Sequence, residues 1–251
     1  MLILKLTLVP LALLAFGIVE RLHGPRVAGW LAGFPIVAGP ILVFLALDHG
    51  AAFTANAALG AYFGLVPWLA FTATYAWCSH GWNWMLSALA SLTAWAIAAC
   101  AALWLQTAPR WLEILPFMVL AGAIVFYPRG KPSDEEREHV WWGLPARMVV
   151  GAGLTLLITH FAALMGTRWS GIFTTFPVMG SIIAISTHVQ YGHHAVRETV
   201  AGMATGLPSV AIFCFALYEL LGRVELWPAF GLALAASCAM HALTWLLFKK
   251  R

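Results

Sequence analysis

The stretch Gly29–Gly39 reads GWLAGFPIVAG, and 142 positions later Gly171–Ser181 reads GIFTTFPVMGS, with the same Phe-Pro pair inside an apolar run. Shifting the chain by 142 positions superimposes nine identical residues across 48 aligned positions. Several are glycine or proline, which mark backbone geometry and do not simply follow hydrophobicity. The sequence therefore predicts an internal repeat. In the first copy the identical positions are Gly29, Phe34, Pro35, Ile41, Gly50, Gly60, Gly64, Leu65 and Phe71.

The composition is that of an integral membrane protein. Of the 251 residues, 62% are apolar and only 10% are charged, and the mean hydropathy is +0.85. A helix that crosses a bilayer needs about 20 largely apolar residues, and the sequence supplies such runs almost end to end. We expect about nine transmembrane helices and no separate soluble domain. The predicted spans are residues 2–19, 27–47, 52–77, 82–105, 111–127, 146–166, 169–189, 198–221 and 226–248.

The repeat divides these spans into two halves. Residues 1–106 form the first four-helix repeat, residues 107–143 a linking span and cytoplasmic loop, and residues 144–251 the second four-helix repeat. Because one unpaired span separates the halves, equivalent helices cross the membrane in opposite directions. We therefore predict an all-α integral membrane fold with a 4+1+4 inverted-topology repeat. The fifth span is short and carries Glu113 and Pro116, so a re-entrant or interfacial segment is the alternative.

The basic residues predict the orientation of the chain in the membrane. On the nine-span topology, ten Lys and Arg residues lie on one side and four on the other. Because an excess of basic residues marks the cytoplasmic side, we expect the N-terminus outside and the C-terminus in the cytoplasm. The basic residues stand singly between apolar runs and form no basic face, so nucleic acid is not expected as a partner.

The second copy resembles a known family. The stretch Gly171–Pro177 and the stretch Ala195–Met203, which contains AVRET followed by GM, resemble the small inner-membrane proteins called GlpM and their relatives. The resemblance covers about residues 146–248 and extends more weakly to the first half, where Ala55 stands in place of Arg197. It implies a fused duplicate of such a unit in the bacterial inner membrane. It implies no substrate, cofactor or catalytic residue.

The paired Phe-Pro positions lie near the middle of spans two and seven and form the candidate substrate-binding site. A proline removes one backbone hydrogen bond from a helix, which here is expected to free the carbonyls of Leu31 and Phe173. Backbone broken at membrane depth is tolerated only where protein or a wet cavity satisfies it, and matched breaks indicate transporter binding sites. Kinks that serve packing alone are the alternative. The candidate substrate-binding residues are Phe34, Pro35, Phe176 and Pro177, with the nearby hydroxyls of Thr174, Thr175 and Ser181.

A second polar group lies where spans seven and eight meet the cytoplasm. His188, His193 and His194 precede Arg197 and Glu198. We interpret these five residues as a gate or a lipid-headgroup contact, and an ordinary helix-end pair that reaches for the interface is the alternative. No Cys or acidic partner accompanies the histidines at a ligand spacing, so the sequence predicts neither a metal site nor a cofactor.

Two histidines and a glycine motif lie inside the predicted spans. His160 and His241 fall in spans six and nine at different depths, and each is either a structural residue or a proton relay. The pair Gly202-xxx-Gly206, matched in the first half, predicts close packing between helices.

The predicted function is that of a small secondary transporter or flippase-like carrier, with its site at the interface between the repeats. The competing function is a scaffold or accessory subunit of an envelope-biosynthesis complex. An enzyme is not predicted because no acid-base or nucleophile constellation is present. The expected partners are the lipid bilayer and a small solute or lipid, and homo-oligomerisation stays open.

Overall fold

The computed structural model describes residues 2–107, 109–126, 148–150, 153, 169, 172–173 and 175–249. Within these residues the chain is all-helical and contains no strand, apart from one isolated bridge between Leu221 and Val224. The predicted all-α class is confirmed. The helices are α1 (Leu2–His23), α2 (Pro25–Ala32), α3 (Ala38–His49), α4 (Ala51–Phe63), α5 (Leu65–Cys78), α6 (Trp84–Leu105), a 3-10 helix (Arg110–Ile114), α7 (Leu115–Phe126), α8 (Val178–Gly206), α9 (Pro208–Leu220) and α10 (Leu226–Lys249).

Four helical stretches in the described part of the chain are long and apolar enough to cross a membrane. They are Ala51–Cys78, Trp84–Leu105, Gly180–Leu220 and Leu226–Leu246, and Ala38–His49 is a shorter apolar helix. The first combines α4 with α5, and the third combines most of α8 with α9. The chain is therefore suited to a membrane, as its composition predicts. The predicted sixth span, including His160, falls largely outside the described residues.

The helices differ in how much apolar surface they expose. The α4–α5 and α8–α9 stretches are mostly buried, whereas α6 and α10 are mostly exposed. Large apolar side chains cover the exposed faces, among them Trp104 on α6, which is 84% exposed. In a membrane, lipid tails contact such apolar faces. The two long buried stretches therefore form the centre of the fold, with α6 and α10 at its periphery.

Both Phe-Pro pairs lie in non-helical backbone. Helix α2 ends at Ala32 and α3 begins at Ala38, so Pro35 stands between two short helices where a single span was predicted. In the second copy α8 begins at Val178, directly after Pro177. A proline lacks the amide hydrogen that a helix interior requires, which explains both interruptions. The predicted loss of regular helical structure around the two prolines is confirmed.

A second matched break lies one helix further along. Gly50 separates α3 from α4 with a φ of +82°, and Gly192, 142 positions later, interrupts α8 with a φ of +73°. Side chains with a Cβ rarely adopt this conformation, which accounts for glycine at both positions. The predicted boundary between spans seven and eight therefore falls inside α8, at Gly192.

Helix α2 and the second half of α8 pack with their backbones in contact. A Cβ added to Gly29 would lie 2.1 Å from the carbonyl oxygen of Thr199, and a Cβ on Gly33 would lie 2.5 Å from the Gly206 Cα. On the facing helix, a Cβ on Gly202 would lie 2.1 Å from the Arg26 carbonyl oxygen. Only glycine permits this approach. The close packing predicted for Gly202 and Gly206 is confirmed.

The contacts between the two halves also give the relative direction of their helices. Along α2 and α3, Gly29, Gly33 and then Gly39 meet successive residues of α8 and α9: Thr199, Gly206 and Phe213. The broken segment therefore runs parallel to the part of α8 that follows Gly192 and to α9. A second parallel pair follows the same rule, since Thr175, Gly180 and His188 meet Gly64, Trp68 and Tyr75 in that order.

Candidate functional site

A cavity of about 70 Å³ lies between the two Phe-Pro pairs. The sequence predicted that these pairs face each other, and the structure places all four residues in the wall of one cavity. Most of the wall consists of residues related by the 142-position shift, so both halves contribute equivalent surfaces. These equivalent lining pairs are Phe34 and Phe176, Pro35 and Pro177, Ile36 and Val178, Ala38 and Gly180, Leu65 and Leu207, and Trp68 and Val210.

The backbone around the two breaks follows the same hydrogen-bond pattern. The Phe34 amide donates to the Leu31 carbonyl at 3.0 Å, and the Phe176 amide donates to the Phe173 carbonyl at 3.0 Å. The next hydrogen bond is also the same in both turns. The amide of the residue after each proline donates to the carbonyl of the Phe before that proline at 2.7 Å. Both breaks are therefore tight turns of one type.

The prediction that the carbonyls of Leu31 and Phe173 are free is wrong. Each accepts the amide three residues later, in place of the bond four residues later that proline removes. The turn tightens locally and satisfies both carbonyls, because an unpaired backbone group at this depth is costly. These two carbonyls consequently do not line the cavity as open ligands.

The hydroxyls predicted near the break serve the backbone. Thr175 lines the cavity, but its hydroxyl donates to the Ile172 carbonyl at 3.1 Å. Ser181 is buried beside the cavity, and its hydroxyl donates to the Val178 carbonyl at 3.0 Å. Thr174 lies outside the described residues. Apart from Thr175 and the indole of Trp68, the side chains in the described wall of the cavity are therefore apolar.

The two close contacts next to the cavity are themselves related by the shift of 142 positions. Gly33 packs on Gly206, and the equivalent pair, Thr175 and Gly64, is equally close, since a Cβ on Gly64 would lie 2.1 Å from the Thr175 Oγ1. Each contact joins the broken segment of one half to the long helix of the other. Two junctions of the same kind therefore lie next to the cavity.

The predicted gate residues make separate contacts. The hydroxyl of Tyr75 lies 3.3 Å from Nδ1 of His188, and His193 contacts both His194 and His80 through its ring. All five rings lie near the junction of α5 with the middle of α8. Among the described residues no group of three or more His, Cys, Asp or Glu is arranged to hold a metal ion.

Arg197 and Glu198 turn to different partners. The Nε of Arg197 donates to the Ala76 carbonyl at 3.1 Å, close to the C-terminal end of α5, where a positive charge is favourable. The Glu198 carboxylate lies 3.8 Å from Nε of Arg26. The arginine therefore joins α8 to α5, whereas the glutamate joins α8 to α2.

A polar cluster at the opposite end of the molecule was not predicted. The Glu219 carboxylate pairs with Arg110, from the 3-10 helix, and with Arg223 at 2.8 Å. Nearby, the Tyr62 hydroxyl donates to the Glu113 carbonyl at 2.6 Å. These residues join the linking segment to the end of α9. The sequence placed Arg110 and Arg223 on one side of the membrane but gave no sign of the shared carboxylate.

Two buried rings behind the cavity were also missed. His241 contacts the edge of Phe34 with ring centroids 5.1 Å apart, and Trp95 contacts Phe176 with centroids 4.7 Å apart. His241 was interpreted only as a structural residue or a proton relay, and Trp95 was not singled out. The repeat offers no signal for either residue, because the 142-position shift pairs His241 with Ala99 and Trp95 with Ser237.

The chain was compared with protein-family models, curated proteins and solved structures, and none of them matches it.

Proposed function

We propose that the protein is a small secondary transporter or flippase-like carrier whose substrate site is the cavity between the two Phe-Pro breaks. The observation that carries this proposal is the wall of that cavity, to which both halves contribute residues related by one constant shift. Transporters built from repeats place their sites at the repeat interface, beside discontinuous helices. A cavity that lies between two equivalent helix breaks matches this arrangement.

The contacts support an inverted relationship between the halves. The α2–α3 segment runs parallel to α9 and to the part of α8 that follows Gly192. If the α2–α3 segment and the α4–α5 stretch both cross the membrane, the chain reverses at Gly50. The α4–α5 stretch then runs opposite to residues 193–220, its equivalent under the 142-position shift. We therefore keep nine spans in a 4+1+4 inverted repeat as part of the proposal.

The polar clusters agree with the proposed sidedness. His80 meets His193, and Arg26 meets Glu198, and the nine-span topology assigns all four residues to the cytoplasmic side. Arg110 and Arg223, assigned to the outer side, share one carboxylate. We propose an external N-terminus, a cytoplasmic C-terminus and a bacterial inner-membrane location. The resemblance to GlpM-like proteins stays a prediction.

The second candidate function is a scaffold or accessory subunit of an envelope-biosynthesis complex. The backbone contact between Gly33 and Gly206 favours it, because such close packing resists movement of one half against the other. The apolar wall of the cavity favours it as well.

A cavity-filling variant distinguishes the two functions. Ala38→Phe fills the cavity, and Ala96→Phe adds the same bulk at an exposed position on α6. Mass spectrometry of the purified protein is expected to find a small molecule with the wild type and with Ala96→Phe, and to lose it with Ala38→Phe. The same molecules in all three samples would favour the scaffold.

A further inference from the structure

The two rings behind the cavity each carry one nitrogen without a hydrogen-bond partner among the described residues. These atoms are Nε2 of His241 and Nε1 of Trp95. Both side chains are deeply buried, with exposed fractions of 8% and 7%. A buried polar atom left unpaired costs roughly 1–3 kcal/mol, so such atoms call for an explanation.

The hydrogen bonds around Ser209 determine what the histidine nitrogen can do. The Ser209 hydroxyl has one proton and lies 2.6 Å from the Gly206 carbonyl oxygen and 2.9 Å from that of Gly33. Carbonyl oxygens only accept, so the hydroxyl donates to them. Nδ1 of His241, 3.0 Å from the same hydroxyl oxygen, is therefore the donor of that contact. In the neutral imidazole, Nε2 then carries the lone pair and is an acceptor.

The tryptophan nitrogen has the opposite character. An indole Nε1 carries a hydrogen and can only donate. One side of the cavity is therefore backed by an unpaired acceptor, the other by an unpaired donor. Each of these rings contacts a phenylalanine of the cavity wall: His241 contacts Phe34, and Trp95 contacts Phe176.

We propose that Phe34 and Phe176 cover a two-ended hydrogen-bonding site for a small uncharged solute that carries both a donor and an acceptor. Rotation of the two phenylalanine rings gives the solute access to Nε2 of His241 and to the indole hydrogen of Trp95. No charged side chain lines the cavity in the described part of the chain, so an ion would lose its hydration without compensation. This inference rests on the proposed carrier function, because it names the substrate class of the same cavity.

The size of the cavity sets the size of the solute. One water molecule needs roughly 10–15 Å³ measured in this way, so about 70 Å³ holds several waters or a solute of a few heavy atoms. Acetamide, acetone and acetate have nearly the same shape and differ in chemistry. Acetamide offers a donor and an acceptor, acetone only an acceptor, and acetate a negative charge. The three molecules therefore separate the proposed site from one that selects by size alone.

Saturation-transfer NMR on the full-length protein in detergent measures binding of the three probes. We expect acetamide to bind at least about fivefold more tightly than acetone or acetate, because one lost hydrogen bond weakens binding by about that factor. Trp95→Phe, which keeps an aromatic ring and removes the donor, is expected to weaken acetamide binding about fivefold. Its matched control is Trp104→Phe on the exposed face of α6, which is expected to bind like the wild type.

A second pair of variants examines the acceptor. In place of His241, asparagine puts its side-chain amide near the position of Nδ1 and leaves nothing at the position of Nε2. Glutamine is longer and reaches the position of Nε2. His241→Asn is therefore expected to weaken acetamide binding, and His241→Gln to retain most of it. Equal binding of acetamide and acetone, or binding unchanged in both Trp95→Phe and His241→Asn, would overturn the proposed site.

Transport in proteoliposomes separates this inference from the carrier function. If acetamide binds as expected but no solute crosses, the two-ended site stands and the carrier function is wrong. If the protein carries a charged solute, or carries any solute independently of Trp95 and His241, the carrier function stands and the two-ended site is wrong.

Discussion

Gly33 and Gly206 touch backbone to backbone, at the junction between the broken segment of one half and the long helix of the other. A Cβ on Gly33 would lie 2.4 Å from the carbonyl carbon of Gly206, and a Cβ on Gly206 would lie 2.9 Å from the Gly33 Cα. The Ser209 hydroxyl, which lies within hydrogen-bond distance of both carbonyl oxygens, holds the same junction. This contact determines where the Phe34-Pro35 turn lies relative to the opposite half.

Alanine at either glycine is expected to destabilise the protein. The added methyl group meets backbone that cannot move aside, and overpacking of this kind costs about 1–3 kcal/mol. Gly231→Ala on α10 is the control, because its Cβ meets nothing within 4 Å and alanine favours helix. Unfolding of the purified protein in detergent measures the difference. Gly33→Ala and Gly206→Ala variants as stable as Gly231→Ala would contradict the observed packing.

The two prolines are expected to matter for function more than for stability. Pro35→Ala and Pro177→Ala permit a helical hydrogen bond to re-form, which straightens the segment and removes the turn that shapes the cavity. The free energy of unfolding is expected to stay within about 1 kcal/mol of the wild type, the worth of one hydrogen bond. Uptake of the transported solute is expected to fall at least about tenfold, which corresponds to about 1.4 kcal/mol.

Pro228→Ala, at an exposed position near the start of α10, is the matched control for the proline variants. It is expected to leave both uptake and stability unchanged. If Pro35→Ala and Pro177→Ala stay fully active, or lose uptake only in proportion to the amount of protein, the breaks are packing features and the carrier proposal loses its main support.

The sequence predicted the breaks because proline and glycine act locally. Pro35 and Pro177 lack the amide hydrogen that a helix interior requires, and Gly50 and Gly192 permit a φ that other residues avoid. The all-helical class followed from composition for a similar reason, since a bilayer accepts few other structures. The shift of 142 positions identified which breaks are equivalent, and the cavity wall obeys the same shift.

The contacts behind the cavity could not be predicted from the sequence. Ser209 and His241 are 32 positions apart and lie on different helices, so their hydrogen bond depends on how α9 packs against α10. Trp95 resembled the many other tryptophans of an apolar chain until its ring was placed against Phe176. The carbonyls of Leu31 and Phe173 were expected to be free because proline removes the helical hydrogen bond that each would accept. The tightening of the turn, which satisfies both carbonyls, depends on local backbone geometry.

His80 and His193 offer a test of how the helices are arranged at one end of the molecule. Their ring centroids are 5.1 Å apart, although 113 positions separate them in the sequence. With Cys78, Cys100, Cys214 and Cys238 replaced by serine, a His80→Cys, His193→Cys double variant is expected to form a disulfide on mild oxidation. Mass spectrometry of the digested protein detects it. A His80→Cys, Arg110→Cys double variant is expected to form none, and the reverse result would contradict the arrangement.

Reporter fusions examine the orientation of the chain. The ten-to-four distribution of basic residues predicts an external N-terminus and a cytoplasmic C-terminus. A phosphatase that is active only outside the cytoplasm is expected to work at the N-terminus, and a cytoplasmic fluorescent reporter at the C-terminus. Both termini on one side of the membrane would remove the odd number of spans and with it the inverted repeat.

Labelling of single cysteines from each side of the membrane tests the central claim most directly. Ile36→Cys and Val178→Cys are repeat-equivalent positions in the cavity wall, and Ala99→Cys is a buried control outside it. In a background without native cysteines, the carrier account predicts that a membrane-impermeant thiol reagent labels both cavity positions from either side and does not label Ala99→Cys. Failure of the reagent to label either cavity position from one of the two sides would contradict it.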